Sequence, residues 1–357
     1  MRYLNKIKLF QLQQEYVKRQ NIKNRIAFIN HHRKKMINER KLFDGLHPIV
    51  KQWRKTSTPD NIFWLHITTC VNHNYIFALS NKGIYKSNDL GFIWTVCLHS
   101  DVITWYTICC NTTGQYVVAS SKKSVIENSI VTRKTVIYYS EDYGETWILT
   151  TTDLNANEPD YLIKINYTDR HSFISLSLNG HIYESMDYGK SWVQISTINS
   201  WCSSFVSNYN KKLLIVASEY NKGGIYLSND YGIQWIKQLD VSCKLITAST
   251  GCQYLACTSK SKNNGGVYVS NDYGTTWNLT LELSCEWTSI TMDYTGRSIY
   301  ASSSADGIYF SDNYGVSWVK LETTIDNWNC LIVNDGSRLV ASTLNYSTKV
   351  SDIYVYA

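Results

Sequence analysis

Six copies of one eight-residue pattern, S-x-D-x-G-x-x-W, punctuate the chain at a nearly constant interval. They begin at Ser87 ("SNDLGFIW"), Ser140, Ser185, Ser228, Ser270 and Ser311 ("SDNYGVSW"), with spacings of 53, 45, 43, 42 and 41 residues. A period of about 40–45 residues is that of a propeller blade built from four short strands. The surroundings repeat as well. An apolar pair ending in Tyr precedes each box ("GIYKS", "GVYVS", "GIYFS"), a small-residue run such as "IYASSS" precedes that, and an alternating run such as "EWTSITMD" comes first. Four strands per unit follow, A to D, with the box as the C–D turn.

Each box position has a physical task. Asp89, Asp142, Asp187, Asp230 and Asp272 can accept backbone N–H bonds across the turn, and Asn313 keeps a carbonyl for the same purpose. Gly91, Gly144, Gly189, Gly232, Gly274 and Gly315 permit a positive φ. The box serines can bond the returning backbone. Trp94, Trp147, Trp192, Trp235, Trp277 and Trp318 open strand D and can wedge between blades. Burial of roughly 150–250 Å² each, at about 25 cal/mol per Å², is worth roughly 4–6 kcal/mol gross. The boxes therefore read as folding devices rather than ligand sites.

The other tryptophans set the blade count. Trp64, Trp105, Trp201, Trp287 and Trp328 fall at or near the start of strand A. Trp53 precedes Trp64 by the 11 residues that also separate Trp94 from Trp105, so "WRKTS" reads as a strand D without a box. Strand A candidates begin near residues 62, 102, 161, 201, 242, 286 and 327. The last unit ends after its strand C, and residues 53–57 can supply its missing fourth strand. The expectation is an all-β, seven-bladed propeller over residues 46–357, closed by an N-terminal strand, with a basic helical arm at 1–45.

The box is the Asp-box, or BNR repeat, and the unit resembles the propellers of sialidases, xyloglucanase-type glycosidases, sortilin-like receptors and photosystem II assembly factors. The resemblance covers roughly residues 53–357. It implies the fold strongly and the function weakly, because enzymes, receptors and assembly factors share it. Sialidases carry a Phe/Tyr-Arg-Ile-Pro motif and an arginine triad. Here Pro48, Pro59 and Pro159 lie outside any such motif. Of the arginines after Arg54, Arg170, Arg297 and Arg338 fall in A–B turns on the box face, which in that family is opposite the active site. A two-carboxylate glycosidase needs an acid and a base or nucleophile across one cleft. Asp101, Asp153, Glu158, Asp160, Glu219, Glu286, Asp306 and Asp326 lie near the face opposite the boxes, and nothing in the sequence pairs two of them.

Binding on a rigid scaffold concentrates in loops beyond turn length. Ser121–Thr135, Glu219–Gly224 and Lys260–Gly266 are long B–C loops, and Thr150–Asp160 is a long D–A loop. Lys122, Lys123, Arg133 and Lys134, with Asp153 and Glu158, make the candidate binding rim. No nucleotide, metal or nucleophile motif is present, so no cofactor, metal or catalytic residue is assigned.

Charge divides unevenly. Residues 1–55 hold 15 Lys or Arg against three acids, whereas the remainder hold 20 against 26. The arm has recurring apolar positions (Ile7, Phe10, Tyr16, Val17, Ile22, Ile26, Ile29) and reads as one or two amphipathic helices. It could dock a partner or the propeller, attach to nucleic acid or another anionic surface, act as an organellar presequence, or remain solvated. No run is long and apolar enough to span a membrane. The ten cysteines show no paired C-x-x-C motifs and read as reduced core thiols of an intracellular, cytoplasmic protein, with an organelle or a virion as further locations. The Asn-, Ile-, Lys- and Tyr-rich usage suits an AT-rich genome, such as that of a protist or a large DNA virus. The expected function is a non-enzymatic protein-binding or assembly scaffold. The alternative is a carbohydrate-active propeller, either a glycoside hydrolase or a lectin-like glycan binder.

Overall fold

In the computed structural model, residues 52–356 are described except 60–61, 72–73, 100–103, 128–129, 151–161, 169–170, 220–222, 324, 326, 334–337 and 345–350, and except the side chains of 123–133. The basic arm at 1–45 lies outside the described residues. Among them, 28 strands form seven four-stranded antiparallel sheets. Blades 1 to 6 are meanders in which strands A, B, C and D follow in chain order from the innermost position outward. Strand B is buried on both faces in every blade whose side chains are described, as in Ile76–Ser80, Phe173–Ser177 and Leu255–Ser259. A neighbouring blade covers each face, so apolar and small residues run without a polar alternation. Strand D is the outer edge and is largely exposed, as in Val193–Thr197.

Blade 7 joins the two ends of the propeller. Strands Trp328–Val333, Leu339–Thr343 and Ile353–Tyr356 are completed by Trp53–Lys55, paired as Trp53↔Tyr356, Arg54↔Val355 and Lys55↔Tyr354. The expected closure by an N-terminal strand is present. Trp53 packs on Trp328 and Tyr356 at centroid distances of 4.4 and 4.9 Å. Past the strand, the Thr56 amide and hydroxyl both donate to the Ile353 carbonyl. Ser57 then donates to the Phe92 carbonyl of blade 1. A second latch is Ser351, whose hydroxyl donates to the Ile62 carbonyl and accepts from the Trp64 amide at 2.7 Å.

The core is seven clusters, one between each pair of adjacent blades, and each holds a strand-D tryptophan. Trp94 packs with Val340, Ile353 and Val355 of blade 7. Trp192 packs with Val118 and Ile137 of blade 2. Trp53 takes the equivalent place against Tyr300 and Ile308 of blade 6.

The six boxes share one geometry. The serine hydroxyl accepts from the box glycine amide at 2.8–2.9 Å. It donates to the Asp or Asn Oδ1 at 2.7–2.9 Å. That Oδ1 accepts the amide four residues on at 2.8–3.0 Å. Asn313 does what its aspartate counterparts do, and its Nδ2 donates to the Ser317 hydroxyl at 2.8 Å. The Gln234 amide, with the Ser228 hydroxyl next, holds the Asp230 carboxyl below its ordinary range. Four box tryptophans donate Nε1–H to the glycine carbonyl of their own box at 2.9–3.2 Å. Trp235 and Trp318 instead reach Ser196 and Thr280 of the preceding blade. Trp53, which has no box, has a buried Nε1 without a partner among the described residues.

The glycines are left-handed, and so is the residue before each. Leu90, Tyr143, Tyr188, Tyr231, Tyr273 and Tyr314 have φ of 60–67°. This costs a non-glycine residue about 1–2 kcal/mol. Two contacts offset it. Each of the five tyrosines donates its amide to an A–B turn carbonyl of its own blade. Three also meet a tyrosine of the preceding blade: Tyr143 on Tyr75, Tyr188 on Tyr116 and Tyr314 on Tyr254, at 4.7, 3.6 and 4.5 Å. Such aromatic pairs are worth about 0.5–1.5 kcal/mol beyond their burial.

Candidate functional site

The face opposite the boxes carries two features built from the sequence's long connections. The first corrects an expectation. Residues 121–135, read above as a loop, are mostly strand. In blade 2, strands B and C are Val117–Glu127 and Ile130–Ser140, 11 residues each, where the other blades have four or five. Val125, Ile126, Ile130, Val131 and Thr132 are β-branched and favour the extension. The added pairs run from Lys122↔Thr135 to Glu127↔Ile130, so the hairpin projects about 20 Å beyond an ordinary blade. Lys123 stands opposite Lys134, and Arg133 opposite Ser124. Lys122 and Lys134 are half-buried at the base. The side chains of Lys123 and Arg133, and all of Asp153 and Glu158, lie outside the described residues.

The second feature is an ion-pair network across blades 4, 5 and 6. Glu219 follows strand B of blade 4 (Leu214–Ser218), and Lys260 follows strand B of blade 5 (Leu255–Ser259). Lys244 and Glu286 directly precede strands A Leu245–Ala248 and Trp287–Met292. Lys260 Nζ lies 3.0 Å from Glu219 and 3.8 Å from Glu286, and Lys244 Nζ lies 3.0 Å from Glu286. Two of the eight acids named from sequence are thus brought together, with a lysine between them. The Lys244 ammonium, with Lys260 adding to it, holds the Glu286 carboxyl below its usual range. Asp306 sits apart in the B–C turn of blade 6, its amide on Ser303 Oγ. Asp101, Asp153, Glu158, Asp160 and Asp326 lie outside the described residues. On the box face, Arg297 Nε donates to the Asp312 carbonyl within the box of its blade, which places that A–B turn where expected.

Sequence reasoning missed the axis of the ring. A cavity of about 550 Å³ is lined by the seven strands A. In five of these strands the register shifts by one residue near the start. Counting from strand B, one layer of the ring holds His66, Thr107, Lys164, Ser204, Leu245, Ser289 and Cys330. Several polar groups along the lining bridge adjacent blades. Asn166 donates to the Phe205 carbonyl, Asn329 to the Trp64 carbonyl and Thr288 to the Trp328 carbonyl. Lys164 and His66 Nδ1 have no such partner among the described residues. The described lining contains no Asp or Glu.

Burial dominates the electrostatics there. It pushes the His66 imidazole down to about 3, and Lys164 pushes in the same direction. It lowers Lys164 and raises Cys109 to about 12, so the thiol beside the ammonium is neutral. None of the ten cysteines is joined in a disulfide. Among the described residues no cluster of His, Cys, Asp or Glu could hold a metal. No helix among them is long and apolar enough to cross a membrane.

Comparison with known proteins agrees with this architecture. The BNR-Asp box repeat model matches residues 182–195, the strand C, box and tryptophan of blade 3. No curated protein matches the chain in sequence. Among solved structures, YCF48 bound to D1 peptide superposes with a TM-score of 0.63 at 13% identity, over 86% of this chain and 95% of that one. YCF48 from Cyanidioschyzon merolae gives 0.63 at 11%, over 85% and 98%. The GH74 xyloglucanase from Xanthomonas campestris gives 0.62 at 12%, over 85% of this chain and 55% of the enzyme. At these identities the likeness is one of fold. The chain is a seven-bladed β-propeller of BNR–Asp-box repeats.

Proposed function

We propose that the protein is a binding scaffold that engages a protein partner with an acidic surface on the face opposite the boxes. The observation that carries this reading is the blade 2 hairpin, which projects past the ring and pairs Lys123 with Lys134. Lys122, Lys123, Arg133 and Lys134 all fall on its two strands, and an acidic partner surface complements such a concentration of basic residues. The similarity of fold to YCF48, solved with a D1 peptide, is in keeping with a peptide or protein ligand.

A carbohydrate-active propeller is the second reading. It is favoured by Glu219 and Glu286, both within 4 Å of one lysine nitrogen. A glycosidase needs one carboxyl of such a pair protonated to donate to the leaving group. Lys244, with Lys260, holds the Glu286 carboxyl below its usual range and works against that for this member, and the GH74 likeness covers only about half of the enzyme.

The test of the first reading is affinity selection of peptides on the full chain. Selected peptides should be rich in Asp and Glu. Their affinity should fall at least about ten-fold in the double variant Lys123→Glu, Lys134→Glu. Selection of neutral peptides, or equal binding by the double variant, would contradict the hairpin's role.

A further inference from the structure

We propose that the central channel is an anion site, in which Lys164 Nζ, with the His66 imidazole N–H as a second donor, takes up a carboxylate or phosphate group. The inference goes beyond the protein-binding reading and does not depend on it, because the channel can fill whatever docks on the outer face.

Two unsatisfied donors carry it. Lys164 (strand A of blade 3, Leu162–Tyr167) and His66 (strand A of blade 1, Trp64–Thr69) lie in the same layer of the ring. Neither Lys164 nor His66 Nδ1 has a hydrogen-bond partner among the described residues. Other polar groups of the lining do, including Asn166 on the same strand as Lys164. Lys164 is half-buried in the channel wall with no counter-charge among the lining side chains, and His66 Nδ1 is a buried polar atom left unpaired, which carries a penalty. The surrounding side chains offer no relief. The described lining has no carboxylate, and the Cys109 thiol stays protonated. A bound anion satisfies both groups at once. The imidazole is neutral beside Lys164, so it keeps one N–H, which a turn of the ring brings to the ligand. The cavity of about 550 Å³ is wide enough for phosphate or for an acidic side chain reaching in from a partner.

The chemistry shared by the two sources is a compact oxyanion. The experiment measures the full chain by calorimetry and thermal melting at constant ionic strength. Its two probes are inorganic phosphate and an N-acetylated, amidated Gly-Glu-Gly peptide. At least one should raise the melting midpoint of the wild type. Its affinity should weaken at least about ten-fold in Lys164→Met and survive in Lys164→Arg. A stronger response to phosphate identifies a free oxyanion as the ligand, and a stronger response to the peptide identifies an acidic side chain. If Lys164→Met fails to fold, His66→Gln, which keeps the charge and alters the second donor, must still weaken the better probe several-fold. Absence of any response in the wild type, or an equal response in Lys164→Met, would overturn the site.

Discussion

Trp53→Ala should destabilise the propeller by about 2–4 kcal/mol, somewhat below the roughly 3–5 kcal/mol typical of a fully enclosed aromatic, because Trp53 is only half-buried. The side chain fills the gap between blades 6 and 7 and stacks on Trp328 and Tyr356. Among the described residues, strand Trp53–Lys55 is the whole of the outer strand of blade 7. Trp53→Phe should recover most of the loss. Its Nε1 makes no hydrogen bond among the described residues, so removing the indole nitrogen should cost little there. A chain starting at residue 58 should fare much worse. It loses the register with Ile353–Tyr356 and both Thr56 bonds, and leaves an open strand edge that invites aggregation. Denaturant unfolding of the point variants, with light scattering for the truncated chain, checks each part.

Gly266→Ala should cost about 3 kcal/mol or more, at the upper end of what single substitutions do. Gly266 opens strand C of blade 5 (Gly266–Ser270) with φ of +152°, and a Cβ there would lie 2.0 Å from the Leu281 carbonyl oxygen of strand D. That oxygen belongs to a hydrogen-bonded backbone and cannot swing aside as a flexible side chain would. Gly251→Ala is the matched control. Nothing lies within 4 Å of its Cβ and its φ is not positive. The change should therefore be neutral or stabilising by about 0.4–1 kcal/mol through the unfolded chain. Equal melting of the two variants would mean that strand C does not approach strand D as closely as described.

The fold was largely legible because its signals are local and repeated. A box of eight residues states its own hydrogen bonds, and the 11-residue offset from Trp53 to Trp64 betrayed a strand D at the wrong end of the chain. The left-handed residue ahead of each box glycine was not legible. In three of the six boxes it is a tyrosine that stacks on a tyrosine one blade away, as with Tyr188 and Tyr116. Residues 121–135 misled because Lys, Arg, Ser and Asn suggest a loop, while the β-branched residues between them pair across the hairpin. The site was the least legible part. Glu219 and Glu286 are 67 positions apart and meet only through Lys260. Lys164 and His66 share a layer because each follows a one-residue register shift in its own strand, and no periodicity reports such a shift.

The claim that this face binds without cleaving is tested most directly by incubating the full chain with xyloglucan oligosaccharides and measuring release of reducing ends. The lysine-held pair Glu219 and Glu286 predicts no release above background, and the same background from Glu219→Gln and Glu286→Gln. Turnover in the wild type that either substitution abolishes, with the fold intact by thermal melting, would contradict the account and make the propeller a glycosidase.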